Sequence, residues 1–221
     1  MAFIEDLIKD VPPITRILCG SSILMQLLIY VEAITKYDIY LSFQLIYSKF
    51  QMWRLFTNLF YFGDISIISL FSITMLYRCS RRLEEHTFRN NAADYLFFLL
   101  IGVTVMSTVS YLIELTVLSK SFLTMLLYLW SRYNRNMVLL LFGFIPMKAP
   151  YITWFFVLLD VIMGEPIAYD ILGIAIGHLF YFFNDIYPKL PQSQGKKIFK
   201  APKLFTKMIE AIIPSNHNAT Q

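Results

Sequence analysis

Apolar residues gather in long runs along this chain, and short polar segments separate the runs. A helix needs about 20 mostly apolar residues to cross the hydrocarbon core of a membrane. On that measure the pattern predicts six spans, four of which cover roughly residues 14–33, 59–77, 137–160 and 167–187. The third and fourth spans share residues 94–131, a stretch too long for one span and just long enough for two short ones joined by a tight turn.

Two segments outside the spans have an amphipathic helical pattern. In residues 1–13 the apolar side chains fall on one helical face and most charged ones on the other. Near the C-terminus a group of lysines lies opposite an apolar stripe formed by Leu204, Phe205, Met208, Ile209 and Ile212. Such helices can lie on an anionic membrane surface, although a disordered polar tail is the alternative for this last segment.

Composition agrees with a membrane protein. Apolar residues make up 57% of the 221 residues and charged residues only 15%, whereas a soluble domain has about 25% charged residues. The net charge of +4 does not indicate nucleic acid binding, because lysine and arginine lie between the apolar runs and in the tail. The two cysteines, Cys19 and Cys79, have no CxxC spacing, so we expect no metal site, no redox site and no cofactor.

The basic residues predict the orientation in the membrane. Fourteen of the 19 lysine and arginine residues fall on the side that carries both termini, and Lys148 falls inside the predicted fifth span. The other side has only Lys36, Lys49, Arg54 and Lys120. The positive-inside rule therefore places both termini in the cytosol, which agrees with six crossings. We expect a cytosolic N-terminal segment over residues 1–13, a membrane domain over 14–187 and a cytosolic lysine-rich tail over 188–221.

Short segments spread over nearly the whole chain carry a characteristic order of residues. They lie at residues 12–16, 51–58, 77–89, 149–154 and 173–185. Together, in this order and spacing, they resemble the derlin family. The resemblance implies an all-α membrane protein with a six-transmembrane-helix, rhomboid-like bundle and no protease activity.

The resemblance also implies a function. Derlins are retrotranslocation factors of endoplasmic-reticulum-associated degradation, which pass misfolded proteins toward the cytosol. The implied partners are misfolded clients, a membrane RING ubiquitin ligase complex, the valosin-containing AAA ATPase and membrane lipid, and further derlin copies or related proteins in an oligomer. Two alternatives stay open: a derlin of a plastid-enclosing membrane, and an active intramembrane serine protease. The N-terminus does not resemble a plastid leader, which favours the endoplasmic reticulum.

Gly173 and Gly177 in the last span are four residues apart, so they share one face of a helix. Two glycines at this spacing let another helix approach closely in a membrane. His178 follows them. In rhomboid proteases a histidine of the last helix is the general base, but the interpretation we favour is a histidine hydrogen-bonded within the bundle.

A histidine base needs a nucleophile, and rhomboid proteases have a serine in a GxSG turn at the start of the fourth helix. Here no glycine lies near that helix, and Ser131 stands at its cytosolic end beside Arg132. The sequence therefore predicts a pseudoprotease that lacks the catalytic serine motif. Acidic residues at the span ends, such as Asp160 and Asp170, form no series of buried carboxylates that would indicate a transporter.

Trp53 and Arg54 lie in a long luminal loop between the first two spans. Tryptophan prefers the membrane interface, and arginine can extend toward lipid phosphates. The pair is predicted either to anchor the loop only, or to anchor it and shape the path of the client.

Polar side chains also occur inside the third span, at Ser107, Thr108 and Ser110. They can bond between helices or face a wet cavity, and the sequence does not separate these arrangements. The tail lacks the phenylalanine-and-glycine motif by which many derlins bind the ATPase, since it has one glycine, Gly195. We therefore expect recruitment of the ATPase to be indirect.

Overall fold

The computed structural model describes residues 11–89, 91–141, 143–191, 199 and 201–212. Most of the predicted amphipathic segment at residues 1–13 lies outside these ranges. The chain is mostly helical. Its described helices are α1 (Pro13–Tyr30), α2 (Lys36–Ile39), α3 (Phe43–Lys49), α4 (Arg54–Thr57), α5 (Ile67–Arg82), α6 (Ala92–Ile113), α7 (Ser119–Tyr133), α8 (Ala149–Ile162), α9 (Ala168–Tyr181) and α10 (Lys203–Ile212).

A helix of 14 residues or more lies at each of the six predicted span positions, as α1 and α5 to α9. Length and hydropathy alone identify two of the described helices as able to cross a membrane, α1 with 18 residues and α6 with 22. Helix α8 is apolar but has only 14 residues. Of the two short helices predicted within residues 94–131, only α7 is short, with 15 residues.

Helix α7 forms the centre of the bundle. Twelve of its 15 residues are buried, because α5, α8 and α9 all pack against it. Its apolar side chains contribute Phe122, Met125 and Trp130 to the largest cluster of buried residues. A helix that is covered on all sides fixes the positions of its neighbours, and the candidate site described below is built around it.

The second predicted span begins later than expected. The apolar pattern placed it at residues 59–77, but α5 runs from Ile67 to Arg82. Gly63 adopts a φ of 90°, a conformation outside the helical range, within the predicted span. Ser66 then caps the helix, because its hydroxyl accepts from the Ser69 N–H and its own N–H donates to the Ser69 hydroxyl.

The fifth predicted span also begins later, and residues 137–148 of it are not helical. Strands β1 (Val138–Leu141) and β2 (Ile145–Lys148) form an antiparallel hairpin, and α8 starts only at Ala149. Pro146 and Pro150 cannot lie inside a helix, whereas proline is tolerated at a sheet edge and in a first helical turn. Lys148 therefore lies at the end of a strand and not within the fifth span, where the sequence had placed it.

The sixth predicted span, residues 167–187, is regular only in its first part. Helix α9 ends at Tyr181 and continues as a π-helical turn, Phe182–Ile186, and a short 3-10 turn, Tyr187–Lys189. A similar π-helical turn, Leu83–Thr87, extends α5. Both turns lie at the end of the bundle where the chain also enters α1.

Candidate functional site

Gly173 and Gly177 lie on the face of α9 that packs against α7. A Cβ atom at Gly173 would clash with the backbone carbonyl oxygen of Ser121 and would lie 3.0 Å from the Met125 nitrogen. A Cβ at Gly177 would lie 3.0 Å from the Met125 carbonyl oxygen and 3.1 Å from the Tyr128 ring. The nearest atom to each built Cβ belongs to the backbone, which cannot move aside as a flexible side chain would.

His178 and Tyr128 join the C-terminal halves of α9 and α7. The Tyr128 hydroxyl is 2.6 Å from His178 Nδ1 and accepts a hydrogen bond of 2.8 Å from Arg132 Nε. The Ser131 hydroxyl is buried and donates to the Tyr128 carbonyl in its own helix. The described contacts of His178 are therefore with a tyrosine, while Ser131 is engaged with backbone.

Arg54 is buried inside the first loop, residues 31–66, with only 4% of its surface exposed. Its Nη1 donates to the carbonyl oxygens of Tyr37 and Tyr40, at 2.6 and 2.8 Å, and its Nε donates to Gln51 Oε1 at 2.6 Å. The expectation that this guanidinium extends toward lipid phosphate is wrong. Carbonyl groups at the end of α2 satisfy the charge instead, and a buried charge needs such partners.

Trp53, directly before Arg54, has 53% of its surface exposed. Around it the first loop presents other exposed aromatic and apolar side chains, namely Tyr37, Tyr47, Phe50, Met52 and Phe56. The two neighbours in the predicted motif therefore differ in their surroundings: Arg54 holds the loop together from within, and Trp53 faces outward.

The first loop is attached to the turn between α6 and α7. The Leu41 N–H donates to the Thr116 carbonyl at 2.8 Å, and the buried Asn58 side chain accepts from the Leu118 N–H. On the exposed side of the loop, Lys36 Nζ donates to Asp64 Oδ2 at 2.6 Å. This hydrogen bond lowers the pKa of the Asp64 carboxyl. The loop is thus a folded part of the molecule and not a free connection.

A buried polar cluster at the opposite end was not predicted from the sequence. The Glu84 carboxylate accepts from the backbone N–H of Ile14 and Thr15, at 3.0 and 2.8 Å, and from the Thr15 hydroxyl at 2.8 Å. Ser80 links the Thr15 hydroxyl to the Tyr95 hydroxyl. Glu84, in the π-helical turn that extends α5, therefore caps the start of α1. Pro13, the first residue of α1, has no N–H to be capped. Burial raises the pKa of Glu84, and the donors oppose this effect.

A second unpredicted polar contact lies at the other ends of α7 and α9. The Thr124 hydroxyl donates to Asp170 Oδ1 at 2.9 Å, and the Ser121 hydroxyl donates to the Tyr169 carbonyl at 2.7 Å. Asp170 is completely buried rather than simply placed at a span end. Nearby, Lys120 pairs with both Asp160 and Glu165, at 3.1 and 3.2 Å. The acidic residues here tie helices together.

Three hydroxyl groups of α6, those of Thr104, Thr108 and Ser110, bond to nearby backbone. The Thr104 and Thr108 hydroxyls donate to carbonyl oxygens one turn earlier in the same helix. The buried Ser110 hydroxyl donates to the Leu115 carbonyl, 2.5 Å away, in the following turn. Hydroxyls bonded to their own helix can face an apolar environment at little cost, so these residues do not require a wet cavity.

The start of α10 is attached to α6. The Ala201 N–H donates to Asp94 Oδ1 at 2.9 Å, and the Phe205 and Phe97 rings lie 5.8 Å apart. Phe199 stacks on Phe180 of α9 at 5.3 Å. Two apolar side chains of α10 stay uncovered, since Leu204 and Met208 are 75% and 59% exposed.

Cys19 and Cys79 are free thiols. Within the described ranges no group of three or more histidine, cysteine, aspartate or glutamate side chains is arranged to hold a metal ion.

Comparison with known proteins gives one consistent result. The model of the Der1-like family matches residues 11–203. The chain is 34% identical to Derlin-1 of Arabidopsis thaliana, over 91% of this chain and 75% of the relative. It is 32% identical to Derlin-1.2 of Zea mays, over 91% and 82%. It is 30% identical to the "Probable derlin-2 homolog" of Dictyostelium discoideum, over 93% and 83%.

Proposed function

Because this chain belongs to the Der1-like family, we propose that it is a retrotranslocation factor of endoplasmic-reticulum-associated degradation that passes misfolded proteins toward the cytosol. Derlin relatives imply a derlin-type function and a membrane protein of the endoplasmic reticulum. The observation that carries the proposal is the family match, which extends over residues 11–203 and so includes the first loop and all six long helices.

The proposed architecture is a rhomboid-like bundle in which α1 and α5 to α9 each cross the membrane. Both termini then face the cytosol, as the distribution of lysine and arginine predicts. The corrected position of Lys148 supports this orientation, because the hairpin follows directly after α7 and so places Lys148 at the end of the bundle that carries Arg132. The first loop lies on the luminal side.

The mechanism that we propose rests on the lengths of the helices. With 15 and 14 residues, α7 and α8 are about 21–23 Å long at 1.5 Å per residue. A typical hydrocarbon core is about 30 Å thick. A bundle with a short core thins the bilayer around it, and a thinner bilayer lowers the barrier for the polar groups of a client.

The family consists of inactive rhomboid-like proteins, and we propose that this chain has no peptidase activity of its own. A serine nucleophile must lie within hydrogen-bond reach of its base. His178 Nδ1 bonds to the Tyr128 hydroxyl, and the Ser131 hydroxyl bonds to backbone. Both side chains have structural partners that account for their presence.

The proposed partners follow from the derlin relationship and from the tail. Clients enter beside the first loop, where Trp53 and its exposed neighbours meet the membrane interface. A membrane RING ubiquitin ligase complex receives them on the cytosolic side, and the AAA ATPase is recruited through that complex. Helix α10 lies on the lipid surface.

The proposal is tested by replacing the derlin of a yeast cell with this chain and following a misfolded luminal client by cycloheximide chase. We expect the client's half-life to return to that of the parent cell. The matched control is the empty vector. A properly inserted chain that leaves the client stable would contradict the proposed function, and cleavage of a transmembrane reporter that is lost in Ser131→Ala would contradict the non-enzymatic mechanism.

A further inference from the structure

A cavity of about 420 Å³ opens beside the last turns of α5, between its π-helical extension and the β-hairpin. Its walls contain four groups that can carry positive charge, Arg78, Arg81, Arg82 and His86, and a single acid, Glu85. Tyr77, Trp130 and Leu139 form the rest of the lining. The cavity therefore combines an excess of positive charge with an apolar wall.

The acid in this cavity is already engaged. Arg81 Nε donates to Glu85 Oε1 at 2.8 Å, and Arg81 Nη1 donates to the Tyr77 hydroxyl at 2.8 Å. The contacts of the described residues pair neither Arg78 nor Arg82 with a carboxylate. Two guanidinium groups are thus available to a ligand, and guanidinium binds phosphate through two parallel hydrogen bonds.

Trp130 adds an independent observation. It is 1% exposed, and its indole N–H finds no acceptor in the part of the chain that the structure describes. Buried N–H groups are almost always paired, so a buried donor without a partner needs a reason. Trp130 lines the basic cavity, and an anion held there would supply the missing acceptor.

We propose that this cavity is a binding site for the phosphate headgroup of an anionic phospholipid. The bound phosphate would accept hydrogen bonds from Arg78, Arg82 and the Trp130 indole. The backbone does not oppose this, because α5 continues into the π-helical turn and its last carbonyl groups stay bonded.

The position of the cavity identifies the source of the phosphate. It lies at the ends of membrane helices, where headgroups are concentrated, and Tyr77 and Leu139 offer apolar contact to the upper part of an acyl chain. In the proposed orientation this end faces the cytosolic leaflet, which holds the anionic lipids. A free inorganic or sugar phosphate would use the same arginines but not the apolar wall.

The test is native mass spectrometry of the full chain in detergent micelles, titrated with dioctanoyl phosphatidylinositol 4-phosphate. Parallel titrations use dioctanoyl phosphatidylcholine, inorganic phosphate and inositol 1,4-bisphosphate. We expect one tightly bound phosphoinositide and no comparable retention of the other three. The Arg78→Gln, Arg82→Gln variant should bind it about tenfold more weakly. This readout does not depend on retrotranslocation, so its failure and the failure of the proposed function are distinguishable.

The matched control is Lys203→Gln, Lys207→Gln, which removes the same charge from the tail and should leave the affinity unchanged. Trp130→Phe keeps an aromatic ring but removes the N–H, and it should weaken binding several-fold. The smaller ring leaves space in the buried cluster, so the melting temperature of this variant should also fall, and binding is compared at a temperature where both proteins are folded. Equal losses in the two double variants would overturn the site. Equal affinity for inositol 1,4-bisphosphate would overturn the lipid as its ligand, and an unchanged affinity in Trp130→Phe would overturn the role of the indole.

Discussion

At the scale of single residues, Gly173 and Gly177 allow α9 to lie directly on the backbone of α7. Neither glycine has a positive φ, so conformational freedom is not the reason for them. The reason is space, because a side chain at either position would meet atoms of Ser121, Met125 or Tyr128. Gly20 in α1 differs, since no atom lies within 4 Å of a Cβ built there.

This contrast makes a prediction about stability. Gly173→Ala should lower the free energy of unfolding by about 1–3 kcal/mol, because the added methyl group must displace the Ser121 carbonyl. Gly177→Leu should be worse than Gly173→Ala, since a longer side chain would have to fit where even a Cβ is tight. Gly20→Ala should be neutral or stabilising by up to about 1 kcal/mol, from helix propensity alone. Thermal unfolding in micelles measures all three, and equal melting temperatures would show that the glycine face is not a packing contact.

Arg54 and Trp53 lead to a second prediction at this scale. Arg54→Ala should cost about 1.5–3 kcal/mol, the usual contribution of hydrogen bonds to a charged group, and should expose the first loop to proteases. Trp53→Ala removes an exposed side chain and should change stability by less than about 0.5 kcal/mol while slowing client degradation. A double substitution would confuse these effects, so the two variants must be compared separately.

Limited proteolysis of each purified variant and cycloheximide chase in cells give the two readouts. Tyr47 is 76% exposed in the same loop, so Tyr47→Ala provides the control for removing an exposed aromatic ring. If Arg54→Ala leaves the loop as resistant to protease as in the parent chain, its buried hydrogen bonds do not hold the loop. If cells with Trp53→Ala and cells with Tyr47→Ala degrade the client equally fast, Trp53 has no specific role.

At the scale of elements, α10 differs from the long helices in being only partly covered. Phe205 approaches Phe97 of α6, whereas Leu204 and Met208 are exposed beside Lys203 and Lys207. An exposed apolar stripe next to lysines is typical of a helix on an anionic membrane surface. The bond from the Ala201 N–H to Asp94 holds the start of this helix near the end of α6.

The orientation of α10 can be measured with an environment-sensitive dye on a single cysteine, after Cys19 and Cys79 are replaced by alanine. In proteoliposomes with phosphatidylserine, a dye at position 208 should be quenched by spin-labelled lipid at least about twofold more than a dye at position 210. Position 210 is the control because Glu210 lies on the polar face. Equal quenching at the two positions would contradict a helix that lies on the lipid.

At the scale of the whole molecule, two polar ends enclose a short apolar core. Glu84, Ser80 and Thr15 tie α1 to α5 at one end, and Lys120, Asp160 and Glu165 join α7 to the end of α8 at the other. These polar contacts hold the helices together at both ends of the bundle.

Orientation is the prediction at this scale. Protease added to sealed microsomes should remove an epitope placed after Gln221, because both termini are predicted to face the cytosol. The sequence Asn218-Ala219-Thr220 is a glycosylation acceptor, and it should stay unmodified for the same reason. An acceptor site introduced into the first loop near Tyr47 serves as the luminal control and should be glycosylated. A protected C-terminal epitope would overturn the orientation.

Local pattern was enough to locate the six long helices and the derlin resemblance, because apolar runs and short motifs are properties of neighbouring residues. It was also enough to single out Gly173, Gly177, Trp53 and Arg54 as candidates. It misplaced the starts of α5 and α8, where Gly63 and the prolines at 146 and 150 interrupt runs that hydropathy alone joins.

Tertiary structure decided what those residues contact. The Glu84 carboxylate bonds to a backbone N–H 70 positions earlier in the chain, and Arg54 turns inward because carbonyls at the end of α2 lie within its reach. The basic cavity combines α5 with Trp130 and Leu139 from two other elements. Periodicity describes one helix or strand at a time, so it does not predict contacts that depend on how the elements pack against each other.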